Sequence, residues 1–223
     1  MIEVLSSFNC TPNTFFVAID IMDSYMAATT RCLETKDIHL IGVTCMLLAS
    51  KMEEIIPFKV STVVDKMTHG KVQAKDVVRC EENILKTLNY ELLGAPSLFI
   101  FIEALVVKLN FHASPHFKDI LKVVTYIAKM AMHDYGLMTK FSLKYLACSC
   151  LYICFKIIEQ INRDFHTKVY VEKMKAALSL NEQTFYNASE TMLALAKNFE
   201  KGFPFAKNLL RFDSFSLEKE SKY

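Results

Sequence analysis

Residues 41–51 read Ile-Gly-Val-Thr-Cys-Met-Leu-Leu-Ala-Ser-Lys, and residues 146–156, 105 positions later, read Leu-Ala-Cys-Ser-Cys-Leu-Tyr-Ile-Cys-Phe-Lys. Gly42 lines up with Ala147, Thr44 with Ser149, Cys45 with Cys150, Ala49 with Cys154 and Lys51 with Lys156. Small residues recur in both copies at i, i+3 and i+7, which places them on one face of an α-helix. Apolar side chains fill most other positions, so each segment reads as a helix enclosed by neighbours. A chain that repeats its most buried helix after about half its length reads as a duplicated helical domain. The alternative is chance similarity between two core helices. Gly42 heads the small face, so a bulky residue there is expected to force the central contacts apart, at about 1–3 kcal/mol or more.

The 223 residues suit one large domain or two ordinary ones. Hydrophobic residues make up 52% of the chain, high for a soluble protein but short of membrane composition. The longest apolar stretch, Tyr145–Phe155, lies between Lys144 and Lys156 and is too short for a bilayer span. The first residues lack the charged-then-apolar order of a signal peptide, so a soluble intracellular protein is expected. The 26 basic residues are matched by 24 acidic ones, which gives no electrostatic case for nucleic acid. The apolar excess instead points to a surface covered by a partner. Of seven cysteines, Cys32, Cys45, Cys148, Cys150 and Cys154 fall in or near apolar helical segments, and no Cys-x-x-Cys occurs. Free thiols serving as small apolar residues are expected, with no metal and no cofactor. His112 and His116 sit at i, i+4, but Pro115 between them and the lack of a carboxylate companion argue against a metal site.

Few Gly, few Pro and little alternation predict an all-α protein. Thr11-Pro12-Asn13 marks a helix start, with the helix running to about Ala28. Asp37 is expected to cap the helix that carries the small face and stops at Glu54, before Pro57. A short helix over about Lys59–Met67 ends at His69-Gly70, and an amphipathic one over about Ala74–Leu88 has Val77, Val78, Ile84, Leu85 and Leu88 as its apolar side. Gly94-Ala95-Pro96 reads as a linker. Helices are then expected near 97–109, 115–133, 139–160, 169–180 and 182–198, repeating the order of the first half. The last has its own echo, Glu81-Glu82-Asn83-Ile84-Leu85 against Ser189-Glu190-Thr191-Met192-Leu193. The expected organisation is two tandem five-helix bundles, residues 1–93 and 97–200, with a mobile tail over 201–223.

With these residues aligned, the first half resembles a cyclin box. The match rests on Phe15-Phe16-Val17-Ala18-Ile19-Asp20-Ile21-Met22-Asp23, on Leu48-Ala49-Ser50-Lys51-Met52-Glu53-Glu54 followed by Pro57, and on Arg79-Cys80-Glu81 leading to Leu85-Lys86-Thr87-Leu88-Asn89-Tyr90-Glu91-Leu92. It covers roughly residues 3–200, is stronger in the first half, and is most similar to the mitotic A and B types. The chain departs from the pattern in two ways. It starts inside the first helix of the box, at Ile2-Glu3-Val4, without the tryptophan-bearing docking patch, so a fragment or truncated product is expected. It also contains no Arg-x-x-Leu or Lys-Glu-Asn degradation signal. Binding of an Arg-x-Leu peptide is therefore expected to be weak, with Glu3 and His39 the only positions that match the docking rim.

No glycine-rich phosphate loop, Gly-x-Ser-x-Gly or His-Glu-x-x-His occurs, and the pairs Glu53-Glu54 and Glu81-Glu82 read as solvated helix faces. A non-enzyme is expected. Leu48, Lys51, Met52 and Ile55 recur at i, i+3, i+4 and i+7, and Glu81, Leu85 and Leu88 share a face of the last helix. One Lys, one Glu and several apolar residues suit a partner's helix: an ammonium can donate to backbone carbonyls, and a carboxylate can accept from amides at a helix end. By residue type alone, an ordinary exposed Lys51–Glu81 ion pair serves equally well. The resemblance implies that Leu48, Lys51, Met52, Ile55, Glu81, Leu85 and Tyr90 hold the mobile helix of a cyclin-dependent kinase, in a heterodimer found in the nucleus and cytoplasm. Kinase substrates are further partners, and neither nucleic acid nor membrane is expected. The competing classes are a promoter-binding transcription factor, which the charge balance disfavours, and a cyclin-like scaffold without a kinase.

Overall fold

A computed structural model describes residues 1–111, 117–161 and 165–206. His112 and His116, and the end of the tail from residue 207, lie outside these. All described elements are helical, and the chain divides into two compact units, one over Met1–Ser97 and one beginning at Leu98.

The first unit holds α1 (Ile2–Ser7), α2 (Pro12–Ala28), α3 (Thr35–Glu53), α4 (Val60–Thr62), which runs into a π turn over Val63–Met67, and α5 (Ala74–Thr87). Thr11 is extended, at φ −61° and ψ 149°, and Pro12 then opens α2, where a missing N–H costs nothing. Phe15, Phe16, Val17, Ala18, Ile21 and Tyr25 are all buried along α2. Helix α3 starts three residues earlier than Asp37 as its cap would set it. Glu34 is the cap, and the Asp37 carboxylate accepts from the Glu34 N–H at 3.0 Å, closing a capping box. Every residue of α3 from Val43 to Ser50 is buried, so α3 is the central helix of the unit. On α5 Val77 and Ile84 face the core, but Val78 is exposed.

The second unit holds α6 (Leu98–Lys108), α7 (Phe117–Ala131), α8 (Tyr135–Lys140), α9 (Leu143–Ile161), α10 (Thr167–Leu178) and α11 (Glu182–Gly202). The expected helix over 139–160 begins only at Leu143, and a separate short helix, α8, ends before it at Lys140. Phe141 is extended and buries its ring, which breaks the run, and the Ser142 carbonyl accepts from the first amides of α9. Helix α8 has no counterpart in the first unit. It begins at Asp134, whose carboxylate accepts from Leu137 N–H at 3.0 Å. Within α9, Ala147, Cys150 and Cys154 are fully buried, matching Cys45 and Ala49 of α3.

Gly42 does not follow that pattern. A Cβ there would meet only the Met1 Cε, at 3.5 Å, an ordinary contact with the end of a flexible side chain. The tight part of the α3 small face is Cys45 and Ala49, so the expectation of a close helix approach at Gly42 is corrected. Cys45, Cys148, Cys150 and Cys154 are free and buried, Cys32 is exposed, and Cys10 and Cys80 are half-buried. No described helix is long and apolar enough to cross a membrane.

Candidate partner-binding site

The end of α3 and the outer face of α5 carry the site. Lys51 lies in the last turn of α3, where a cation complements the helix dipole, and its Nζ donates to Glu81 Oε1 of α5 at 2.5 Å. The Lys51 side chain is 43% exposed and that of Glu81 14%, so the pair sits at the rim of the bundle. This geometry uses one of three ammonium donors and one carboxylate oxygen, leaving capacity for a partner's backbone.

The helical spacing that joined Leu48, Lys51, Met52 and Ile55 does not survive as one face. Leu48 is 4% exposed and belongs to the core beneath the site. Helix α3 ends at Glu53, and Glu54 is extended, so Ile55 is not on the helix at all. It stands fully exposed in the turn that follows, with Ile56 at 85% and Met52 at 44%. Leu85 is half-buried, and Tyr90 is 67% exposed just past α5. Asn89 and Tyr90 both have positive φ, 50° and 63°, which an aromatic residue rarely adopts, and the Tyr90 N–H returns to the Leu85 carbonyl at 2.8 Å. Glu3 and His39 are both exposed, on α1 and α3 respectively.

Two isoleucines this exposed would be expected to fold inward unless their backbone were held. It is held at both ends. At one end the Glu54 carboxylate accepts from Thr11 N–H at 2.8 Å, from Thr11 Oγ1 at 3.3 Å and from the Thr14 hydroxyl. The neighbouring Glu53 accepts from Asn13 Nδ2 at 2.7 Å, and Asn13 Oδ1 in turn accepts from the buried Ser97 hydroxyl at 2.5 Å. At the other end Phe58 N–H donates to the buried Ser50 hydroxyl at 3.1 Å, and the Phe58 ring packs edge-on against Phe8 at 5.2 Å. Glu53 and Glu54 are thus not a solvated helix face. They fasten the end of α3 to the start of α2. The Cys10 thiol beside them is pushed up to about 12, first by burial and then by the Glu54 charge. Neither Ile56 nor this clamp was evident from the sequence; the only signal was the run of polar side chains Thr11, Asn13 and Thr14 at a helix start.

Residues 1–93 match the cyclin N-terminal domain family. The chain is 26% identical to Cyclin-B1-1 of Arabidopsis thaliana over 221 residues, 94% of this chain and 50% of that protein. The first unit is thus matched to the cyclin N-terminal domain, and the chain as a whole is similar to cyclins. Among mitotic cyclins it is also 31% identical to G2/mitotic-specific cyclin C13-1 of Daucus carota over 136 residues, 61% of this chain and 38% of that one. To G2/mitotic-specific cyclin-A of Hydra viridissima it is 24% identical, over 80% of this chain and 42% of the relative. The chain therefore spans about half or less of the length of these relatives. A viral cyclin from herpesvirus saimiri has the same fold, with a TM-score of 0.72 at 18% identity, over 88% of this chain and 81% of the other. The second unit repeats the arrangement with different chemistry. Lys156, the counterpart of Lys51, pairs along its own helix with Glu159 at 2.8 Å. Ser189 stands where the first unit has Glu81, and its hydroxyl donates to Ser149 Oγ at 3.1 Å in the interior.

Proposed function

We propose that this chain binds a cyclin-dependent serine/threonine kinase as a heterodimer and activates it in cell-cycle control. The observation that carries the proposal is the Lys51–Glu81 bridge set beside Met52, Ile55, Ile56 and Tyr90 on a backbone fastened at both ends. The exposed apolar residues would cover one side of the kinase's mobile helix, while Lys51 and Glu81 take the polar groups of its backbone. A kinase alone favours an arrangement in which the helix bearing its catalytic Glu is turned away. A ligand that fits only the active arrangement shifts that equilibrium by its differential affinity. A face already rigid before binding spends little of that affinity on its own ordering. We further propose that Glu3 and His39 line a weak substrate rim, and that the complex works in nucleus and cytoplasm.

In the complex the Lys51–Glu81 pair would be desolvated, and truncating one member of such a set commonly costs about 2–5 kcal/mol of binding. Lys51→Ala and Glu81→Ala are each expected to weaken kinase binding at least tenfold by calorimetry, at about 1.4 kcal/mol per decade. Melting is expected to move little, because a rim ion pair contributes at most about 1 kcal/mol. Unchanged kinase affinity in both variants would remove the proposal.

A further inference from the structure

We propose that Thr11 is a phosphorylation site for a proline-directed serine/threonine kinase, and that the phosphate unfastens the turn presenting Ile55 and Ile56. The second half rests on the kinase-binding role proposed for that turn; the first does not.

Thr11 is followed by Pro12, and among the described residues it is the only hydroxyl residue that precedes a proline. Both residues are exposed. The Thr11 backbone is extended, the form in which kinases accept substrate, and its side chain makes no capping bond to α2. The first turn of α2 is held instead from outside, by Glu54, so fraying of this end is enough to deliver the hydroxyl.

The reaction is a simple transfer. The γ-phosphoryl of ATP forms a bond to Thr11 Oγ1, the bond to the β-phosphate oxygen breaks, ADP leaves, and the hydroxyl proton passes to the kinase's base. What changes is local. Thr11 Oγ1 now donates to Glu54 Oε1 at 3.3 Å and lies 3.0 Å from Thr14 Oγ1, whose hydroxyl also donates to Glu54. Esterification removes one of these donors and sets a group of charge about −1.5 to −2 against a carboxylate. A helix start would welcome the phosphate, but Glu54 already occupies that end, so the two anions compete for Thr11 N–H and Thr14. Glu54 is the residue directly before Ile55, and losing its clamp frees the turn that the partner would grip.

The test treats the full chain with a purified proline-directed kinase and ATP, maps the phosphate by mass spectrometry, and follows backbone amide exchange and binding of the cyclin-dependent kinase. The phosphate is expected on Thr11 and absent from that site in Thr11→Ala. Exchange of the Thr11 and Phe58 amides is expected to rise at least tenfold, and kinase affinity to fall at least tenfold. In Glu54→Gln, which lacks the opposing charge, phosphorylation is expected to change exchange far less. No phosphate on Thr11 of the native chain, or phosphate only on Ser114 before Pro115, overturns the proposal, as does phosphate on Thr11 with unchanged exchange. If the unmodified chain binds no kinase but the exchange response is present, the kinase-binding role fails while Thr11 stands as the switch of this turn.

Discussion

Asp20 is half-buried on α2, one helical turn from Asp23, and burial, reinforced by the Asp23 charge, pushes its carboxyl up to about 7. An unfolded chain releases that proton near the ordinary value of 3.8, so between these two values the native state holds a proton that the unfolded state has lost. Stability must therefore fall as pH rises from about 4 to about 7, the reverse of a salt-bridged aspartate. Asp20→Asn keeps the shape and removes the titration. It is expected to raise stability at pH 8 by a few kcal/mol, at about 1.4 kcal/mol per pKa unit, and to change little at pH 4. Denaturant melts at the two values check this, and an equal effect at both would assign the gain to something other than the proton. Single residues stood out in the sequence where a local string marked them, as with Lys51 and Glu81, although the bond between the two spans 30 positions. Glu54 did not, because its role is set by Thr11 and Thr14, 40 or more positions away in the chain.

Helix boundaries show the same division between local and distant causes. Pro12 predicted the start of α2, since proline's fixed φ and missing donor act within one turn. The gap between α8 and α9 was not legible, because Phe141 leaves the helical path and buries its ring among residues from elsewhere in the chain. The face assigned to α3 failed at its end for a related reason: the i+7 position lies past the last helical residue, and Ile55 points where the turn sends it. Gly42 reverses the sign of an expectation. With only the Met1 Cε within 4 Å of an added methyl, Gly42→Ala meets no obstacle. It removes backbone freedom from the unfolded chain and is expected to stabilise the protein by about 0.5–1 kcal/mol, measured as a rise in the denaturation midpoint. A loss of stability would show that α3 is approached more closely than these distances allow.

The duplication was the most legible property of the molecule, because two buried helices of one design must repeat both periodicity and size. Setting Glu81 against Ser189 also separates the two units chemically, since a serine that bonds inward leaves Lys156 without an opposing carboxylate on the last helix of its unit. Lys156→Ala is accordingly expected to leave kinase affinity unchanged in the assay where Lys51→Ala weakens it. Loss of binding in Lys156→Ala alone would move the face to the second unit.

The buried cysteines give the chain an internal record of its own unfolding. Burial pushes the Cys148 and Cys154 thiols up to about 12 and those of Cys45 and Cys150 higher still, while Cys32 lies open in the loop before α3. Alkylating reagents attack the thiolate, so at neutral pH the core thiols are both shielded and protonated. A maleimide pulse on the native protein is expected to modify Cys32 first and to spare these four. As denaturant rises, labelling of Cys45 reports opening of the first unit, and labelling of Cys148, Cys150 and Cys154 that of the second. One mass spectrum per condition then times the two halves of a duplicated protein separately, without any added probe.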